Sequence, residues 1–168
     1  MTTHPHFAQT SLQHAIVERV QACLKQAEHK LNKRFAMPVV KFNQRGRTAG
    51  SARLQLWELR FNPVLLAENP QAFLDDVVPH ELAHLIVYQL FGRVKPHGRE
   101  WQAVMEGVFK RPAKTTHSFS IANVQGTTYR YRCACQEHQL TVRRHNKIQR
   151  GQTSYRCKGC GQTLQLSP

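Results

Sequence analysis

The sequence predicts an α+β chain in two parts. A helical domain with a small antiparallel sheet is expected over residues 1–115, and a small, basic, cysteine-bearing domain over residues 116–168. Three observations carry this reading. Apolar residues recur at helical spacing in three long stretches of the first part. Between the first two stretches lie short runs bounded by Gly, Asn and Pro, the pattern of brief strands. The last third carries two close cysteine pairs, Cys133/Cys135 and Cys157/Cys160, with twenty-one residues between them. That separation suits a zinc-ribbon hairpin.

Composition narrows the partners. At 168 residues with 40% apolar content, the chain can bury one ordinary core with a small appendage. Its net charge of +14 points to a polyanionic partner, nucleic acid first. The charge is uneven: residues 1–106 hold thirteen Lys/Arg against nine Asp/Glu, and residues 107–168 hold eleven against Glu137 alone. No apolar run is long enough to span a membrane. The N-terminus, Met1-Thr2-Thr3-His4-Pro5-His6, lacks a signal peptide's charged start and apolar middle. A cytoplasmic location is therefore expected, where cysteines serve as metal ligands or core residues rather than disulfides.

The elements follow in order. Residues 1–9 are expected to fray. From Ser11, the positions Leu12, Ile16, Val20, Cys23, Leu24, Ala27 and Leu31 keep a 3.6-residue period, predicting an amphipathic helix that ends near Arg34. Cys23 falls on the apolar stripe and reads as packing. Residues 38–43 read as a strand, 44–50 as a basic turn, and 51–56 and 57–62 as two further strands. Arg45 and Arg47 in the turn read as solvated, with phosphate contact as the alternative. Asn62-Pro63 stops the run, and residues 65–68 read as a helical turn. The edge of such a sheet either pairs with an extended peptide or only covers the core, and the sequence leaves both open. Asn69-Pro70 opens a central helix that runs from about Gln71 to Phe91-Gly92. Asp75 and Asp76 lie early in it, where the macrodipole favours negative charge, and Pro79 predicts a local irregularity. A last helix opens at His97-Gly98 and carries Trp101, Val104, Met105, Val108 and Phe109 until Arg111-Pro112. His117 and Phe119 read as packing.

The chemistry centres on His80-Glu81-Leu82-Ala83-His84. Histidines four apart share one helix face, so both imidazoles can bind one Zn²⁺. Glu81 stays off the metal and can reach a water, the H-E-x-x-H pattern of zinc peptidases. The flanks Val77, Val78, Leu82, Leu85, Ile86, Val87 and Leu90 make this helix apolar around most of its circumference. Polar groups there cost free energy unless something satisfies them. Catalytic zinc takes three protein ligands and keeps one open position. His97 is the leading third candidate, thirteen positions after His84 and past a short link. Glu100 and Glu106 are its competitors.

In the tail, Cys157-Lys158-Gly159-Cys160-Gly161 is a C-x-x-C knuckle, whereas Cys133-Ala134-Cys135 is tighter than usual. Four thiolates on one structural zinc is the first reading. Replacement of Cys133 or Cys135 by His138 or His145 is a second, and a metal-free site a third. Val142 and Ile148 are expected in the small core. Residues 140–150 read as a hairpin with one charged face, carrying Arg143, Arg144, Lys147 and Arg150 as nucleic-acid contacts. Tyr129, Tyr131 and Tyr155 offer rings on which bases could stack.

The stretch Val-Val-Pro-His-Glu-Leu-Ala-His at 77–84 is followed by Phe-Gly-Arg-Val-Lys-Pro-His-Gly-Arg-Glu-Trp at 91–101. Together with Gln-Arg-Gly-Arg-Thr-Ala-Gly at 44–50 and the cysteine-bearing tail, it resembles the bacterial SprT family. The eukaryotic Spartan proteases share that family's metalloprotease domain type. The resemblance implies a zincin-like metalloprotease domain with His97 as third ligand and a C-terminal zinc ribbon. By analogy with the Spartan relatives, it implies action on proteins attached to DNA. The expected roles are then His80, His84 and His97 on zinc and Glu81 as proton acceptor and donor. Cys133, Cys135, Cys157 and Cys160 are expected on a second zinc, and the basic tail on DNA without sequence-specific reading. The rival expectation is a zinc- and DNA-binding protein of transcription or DNA maintenance that needs no Glu81. A peptidase of free peptides, indifferent to DNA and salt, is the third.

Overall fold

A computed structural model describes residues 5–116, 119–120, 123–124 and 126–167. The chain divides into two compact units, Met1–Val124 and Gln125–Pro168.

The first unit opens with α1 (Pro5–Leu31), which buries Ile16, Val20, Cys23, Leu24 and Ala27 along one stripe. It starts six residues ahead of the expected Ser11, at a proline whose fixed φ suits a first helical turn. It stops short of Arg34 because Asn32 enters the left-handed region at φ 48°.

Three strands follow: β1 (Val39–Lys41), β2 (Gly50–Arg53) and β3 (Glu58–Phe61). They are ordered β1-β3-β2. The sheet is mixed, not antiparallel throughout, because β1 pairs with β3 in parallel while β2 pairs with it antiparallel. Inserting β3 between its predecessors leaves β2 as an edge. The strand expected over residues 51–56 ends early. Leu54–Leu56 winds into a 3₁₀ turn, and Trp57 reverses the chain at φ 49° while its indole donates to Ala36 O at 2.8 Å. On β3 the buried Glu58 carboxylate lies 2.5 Å from Lys41 Nζ and 2.6 Å from Arg60 Nε. These two cations hold its carboxyl below the usual carboxylate range.

Asn62 ties the sheet to α2 (Pro63–Glu68). Its Oδ1 accepts from the Val64 and Leu65 amides, and its Nδ2 donates to Gly46 O at 2.8 Å. It thus caps the helix and pins the loop before β2 at once.

The central helix begins as α3 (Pro70–Ala72), passes through a π turn (Phe73–Val77) and continues as α4 (Val78–Phe91). The irregularity expected at Pro79 therefore lies just before it. In the π register the Val78 amide reaches Phe73 O, and residue 79 would donate to Leu74 O. Proline has no N–H to give, and Arg19 Nε of α1 fills that place at 2.9 Å. α4 is buried on nearly every side, from Val78 through Ala83 and at Leu85, Ile86 and Val87. Gly92, at φ 72°, ends it.

α5 (Arg99–Ala103) runs into a second π turn (Val104–Val108) that packs Val104, Met105 and Val108 into the core. Helix formation starts at Arg99, not at the expected His97, because His97 and Gly98 form a turn in which Gly98 N–H donates to Lys95 O at 3.0 Å. Phe119 stacks on Phe73 with ring centroids 5.7 Å apart, as expected of a packing residue. His117 lies outside the described residues.

The second unit holds an antiparallel sheet of β4 (Thr128–Arg132), β5 (Glu137–Thr141) and β6 (Gln165–Leu166), in the order β5-β4-β6. Residues 140–150 are not a hairpin. β5 ends at Thr141 and α6 (Val142–Gln149) follows. The physical reason is spacing, since His145 and Ile148, three apart, turn inward together as only a helix allows. Ile148 packs on Tyr131, Leu140, Cys157 and Leu164, while Val142, expected in that core, is exposed.

Candidate metal centres and cleft

In the first unit, one turn of α4 presents His80 and His84, and the turn before α5 brings His97 to them. His97 Nε2 lies 3.0 Å from His80 Nε2 and 3.1 Å from His84 Nε2. A ring nitrogen carries one proton or one lone pair. Three such nitrogens converging on one point can share only one proton among them without a clash, a poor match compared with a cation. A cation accepts all three lone pairs, and tetrahedral ligands at about 2.0–2.1 Å stand roughly 3.3 Å apart. The triad fits zinc by this test. Burial, reinforced by His97, pushes His84 down to about 4, so its imidazole stays neutral, the form a metal needs. Desolvation lowers His97 as well.

His97 reaches the site from a backbone φ of 57°, a left-handed conformation that costs energy outside glycine. Gln102 Nε2 holds its carbonyl at 3.2 Å. Trp101, fully buried, lies behind the triad with its ring 4.8, 5.6 and 4.7 Å from those of His80, His84 and His97. Its Nε1 also donates to His80 O at 3.3 Å. Helical spacing alone reads Trp101 as core. Its position four residues past His97 is the signal that it also backs the site. The competing carboxylates lie elsewhere: Glu100 is bonded by Arg99 Nε at 2.9 Å, and neither it nor Glu106 joins the cluster.

Glu81 is buried beneath β2. Burial pushes its carboxyl up to about 8, against which a hydrogen bond from the Ala52 amide acts. Gly50 makes this approach possible, since a Cβ there would stand 2.9 Å from Glu81 Cγ and 3.1 Å from Val77 Cγ1. Gly50→Ala is therefore expected to destabilise the chain by about 1–3 kcal/mol through overpacking, read by thermal unfolding. Unchanged stability would mean that β2 can retreat. His80, Glu81, His84 and His97 share with residues 47–52 a cleft of about 560 Å³. Arg47 stands on its rim, and both Arg45 and Arg47 are exposed.

In the second unit the four thiols of Cys133, Cys135, Cys157 and Cys160 converge. Cys135 Sγ lies 3.4 Å from Cys133 Sγ and 3.6 Å from Cys157 Sγ. The amides of Cys160 and Gly159 pull Cys157 down to about 5, so it is a thiolate at neutral pH. The Gln162 amide lowers Cys160 likewise, while the neighbouring thiols push Cys135 up to about 12. Four sulfurs this close repel as thiolates unless a cation sits among them, so the donor set fits zinc. His138 Nε2 stands 3.4 Å from Cys133 Sγ, beside the cluster and outside it. His145 is engaged elsewhere, with Tyr131 Oη 3.0 Å from its Nδ1. Arg143, Arg144, Lys147 and Arg150 are all exposed, and Arg144 also lies over the Tyr155 ring at 5.4 Å.

Together these features define a mixed α+β protein with a histidine cluster in one unit and a zinc-ribbon cysteine cluster in the other. An SprT-like family model matches residues 20–118, and an SprT-like zinc ribbon domain matches residues 127–167. The chain belongs to the SprT-like family. It is 56% identical to Protein SprT of Pectobacterium carotovorum over 89% of this chain and 88% of that protein. It is 54% identical to Protein SprT of Erwinia tasmaniensis over 91% and 90%, and 53% identical to that of Yersinia pestis over 93% and 92%. No solved structure matches. Among the described residues, no helix is long and apolar enough to cross a membrane.

Proposed function

We propose that this chain is a zinc-dependent metallopeptidase with a zincin-like first unit, acting on proteins bound to DNA. The observation that carries the reading is the convergence of three imidazole nitrogens with a buried carboxylate in one cleft beside a sheet edge. His80, His84 and His97 would hold Zn²⁺. When bound, zinc polarises a carbonyl and makes water a nucleophile at neutral pH. Glu81, whose burial the adjacent Zn²⁺ would offset so that it is ionised at neutral pH, takes the proton from the attacking water and returns it to the leaving amine. Its bond to the Ala52 amide sets the carboxylate in register with β2, whose outer edge receives an extended peptide by strand addition. Cys133, Cys135, Cys157 and Cys160 would hold a second, structural zinc. The cationic second unit then keeps the enzyme on DNA.

The test is cleavage of a basic protein by the zinc-loaded chain, with and without DNA. Faster cleavage on DNA, abolished by a chelator, is expected. Equal cleavage with and without DNA would favour a peptidase of free peptides. No cleavage at all would leave a non-proteolytic zinc- and DNA-binding protein, a reading that the cysteine cluster and the charge support without Glu81. Metal analysis adds a second check: His97→Ala should lower the content from two ions per chain to one. Two ions in that variant would remove His97 from the ligand set.

A further inference from the structure

The second unit's positive charge is sorted by the fold. On β4, Tyr129 and Tyr131 face α6: His145 stacks on the Tyr129 ring at 3.6 Å with the planes 5° apart, and it bonds the Tyr131 hydroxyl. Arg130 and Arg132 alternate with these tyrosines and so point to the opposite side of the sheet. Glu137, the one acid of residues 125–168, is the cross-strand partner of Arg132 and shares that side. The outer face of α6 is thus free of acids. His145 and Ile148 turn inward, and of the exposed residues Arg143, Asn146, Lys147 and Arg150 fall at i, i+3, i+4 and i+7, a single stripe, with the exposed Arg144 to one side of it over Tyr155.

The same arrangement removes the expected stacking platform. Tyr131 is 1% exposed, one face of Tyr129 is covered by His145, and Arg144 lies over Tyr155. Rings already stacked within the protein are poorly placed to receive the splayed bases of a single strand. A cationic helix face instead suits regularly spaced phosphates. Eight residues make a rod about 12 Å long, and the B-form major groove, about 12 Å wide, admits a helix. The deep, narrow major groove of A-form RNA does not.

We propose that α6 is a docking helix for double-stranded DNA, seated on the duplex through Arg143, Lys147 and Arg150, with Asn146 between them. Arg144 serves the fold, not the nucleic acid. The proposal deepens the reading above, resting on its claim that the second unit binds DNA. It replaces base stacking with phosphate contact to a duplex.

The experiment measures fluorescence anisotropy of a short DNA duplex, one of its strands and the matching RNA duplex, each titrated with the zinc-loaded full chain over a salt series. The DNA duplex is expected to bind tightest. Replacing Arg143, Lys147 and Arg150 together by Gln, a good helix former, should flatten the slope of log affinity against log salt by about 2.7, at about 0.9 per lost phosphate contact. Arg144→Gln should leave the slope unchanged. A single strand or RNA duplex bound more tightly than the DNA duplex by the wild-type chain would overturn the proposal. So would a triple variant with the wild-type slope. Zinc content reports whether that variant has folded, and the wild-type comparison stands without it. If no nucleic acid binds the wild-type chain even at low salt, the DNA half of the functional reading fails as well. Glu81-dependent cleavage is read separately.

Discussion

Glu81→Gln is expected to keep its metal and lose cleavage by about 10²–10⁴-fold, the usual contribution of a positioned proton-transfer group. That is roughly 3–5 kcal/mol of transition-state stabilisation. Gln has the shape of Glu, and its Oε1 can accept the same Ala52 amide, so β2 and α4 stay in place. Only the ability to take a proton is lost. Metal content and single-turnover cleavage measured on the same preparation decide the matter, and a variant with wild-type turnover would strip Glu81 of its role. Stability gives a second readout. In the metal-free protein burial raises the Glu81 pKa from 4.5 to about 8. Between those values the native state keeps a proton that the unfolded chain has released. Glu81's contribution to stability therefore falls as pH rises from about 4.5 to about 8, while His84, held down to about 4, acts the opposite way below 6.5, so the net fall shows between about 6.5 and about 8. Thermal unfolding of the metal-free chain should show that fall in wild type, and Gln should flatten it.

Cys157→Ser should unfold the second unit while the histidine cluster keeps its ion. Among the described residues, the small core of that unit has four buried side chains, Tyr131, Leu140, Cys157 and Leu164. At about 1.5–3 kcal/mol each, they offset little of the ordering entropy of the surrounding chain. Structural zinc in small domains contributes about 10–16 kcal/mol at neutral pH. Serine offers no thiolate, and the amides of Gly159 and Cys160 would point at a hydroxyl that does not ionise. Hydrogen exchange should show β4 and β5 losing protection together, with one metal ion lost per chain. Retained protection would mean that the sheet stands without its ion.

Much of this is legible in the sequence, and for physical reasons. His80, Glu81 and His84 lie within one turn, so local geometry alone brings the two imidazoles together. The helix α1 announces itself by period, and α4 by apolar flanks around most of its circumference. What escaped was set by contacts distant in sequence. The parallel pairing of β1 with β3 depends on where β2 goes, which no local pattern encodes. Gly50 reads as the last residue of a basic turn until Glu81 is seen beneath it. Trp101 reads as core until three imidazoles stand around it. α6 reads as a charged hairpin because basic and polar residues alternate there by chance. The inward pair His145 and Ile148 held the true period.

The wide turn at Phe73–Val77 sets the aim of the histidines. It takes up one residue more than regular pitch requires, so everything after it is rotated by about 100° around the axis. Arg19 secures that extra residue by filling the place proline leaves open. Shorten the segment by one position and α4 would turn about its axis relative to the chain before it, carrying His80 and His84 away from β2 and out of the cleft, with every imidazole still in the chain. The seating of the histidines against β2 is thus a matter of phase, fixed several residues upstream of the first imidazole.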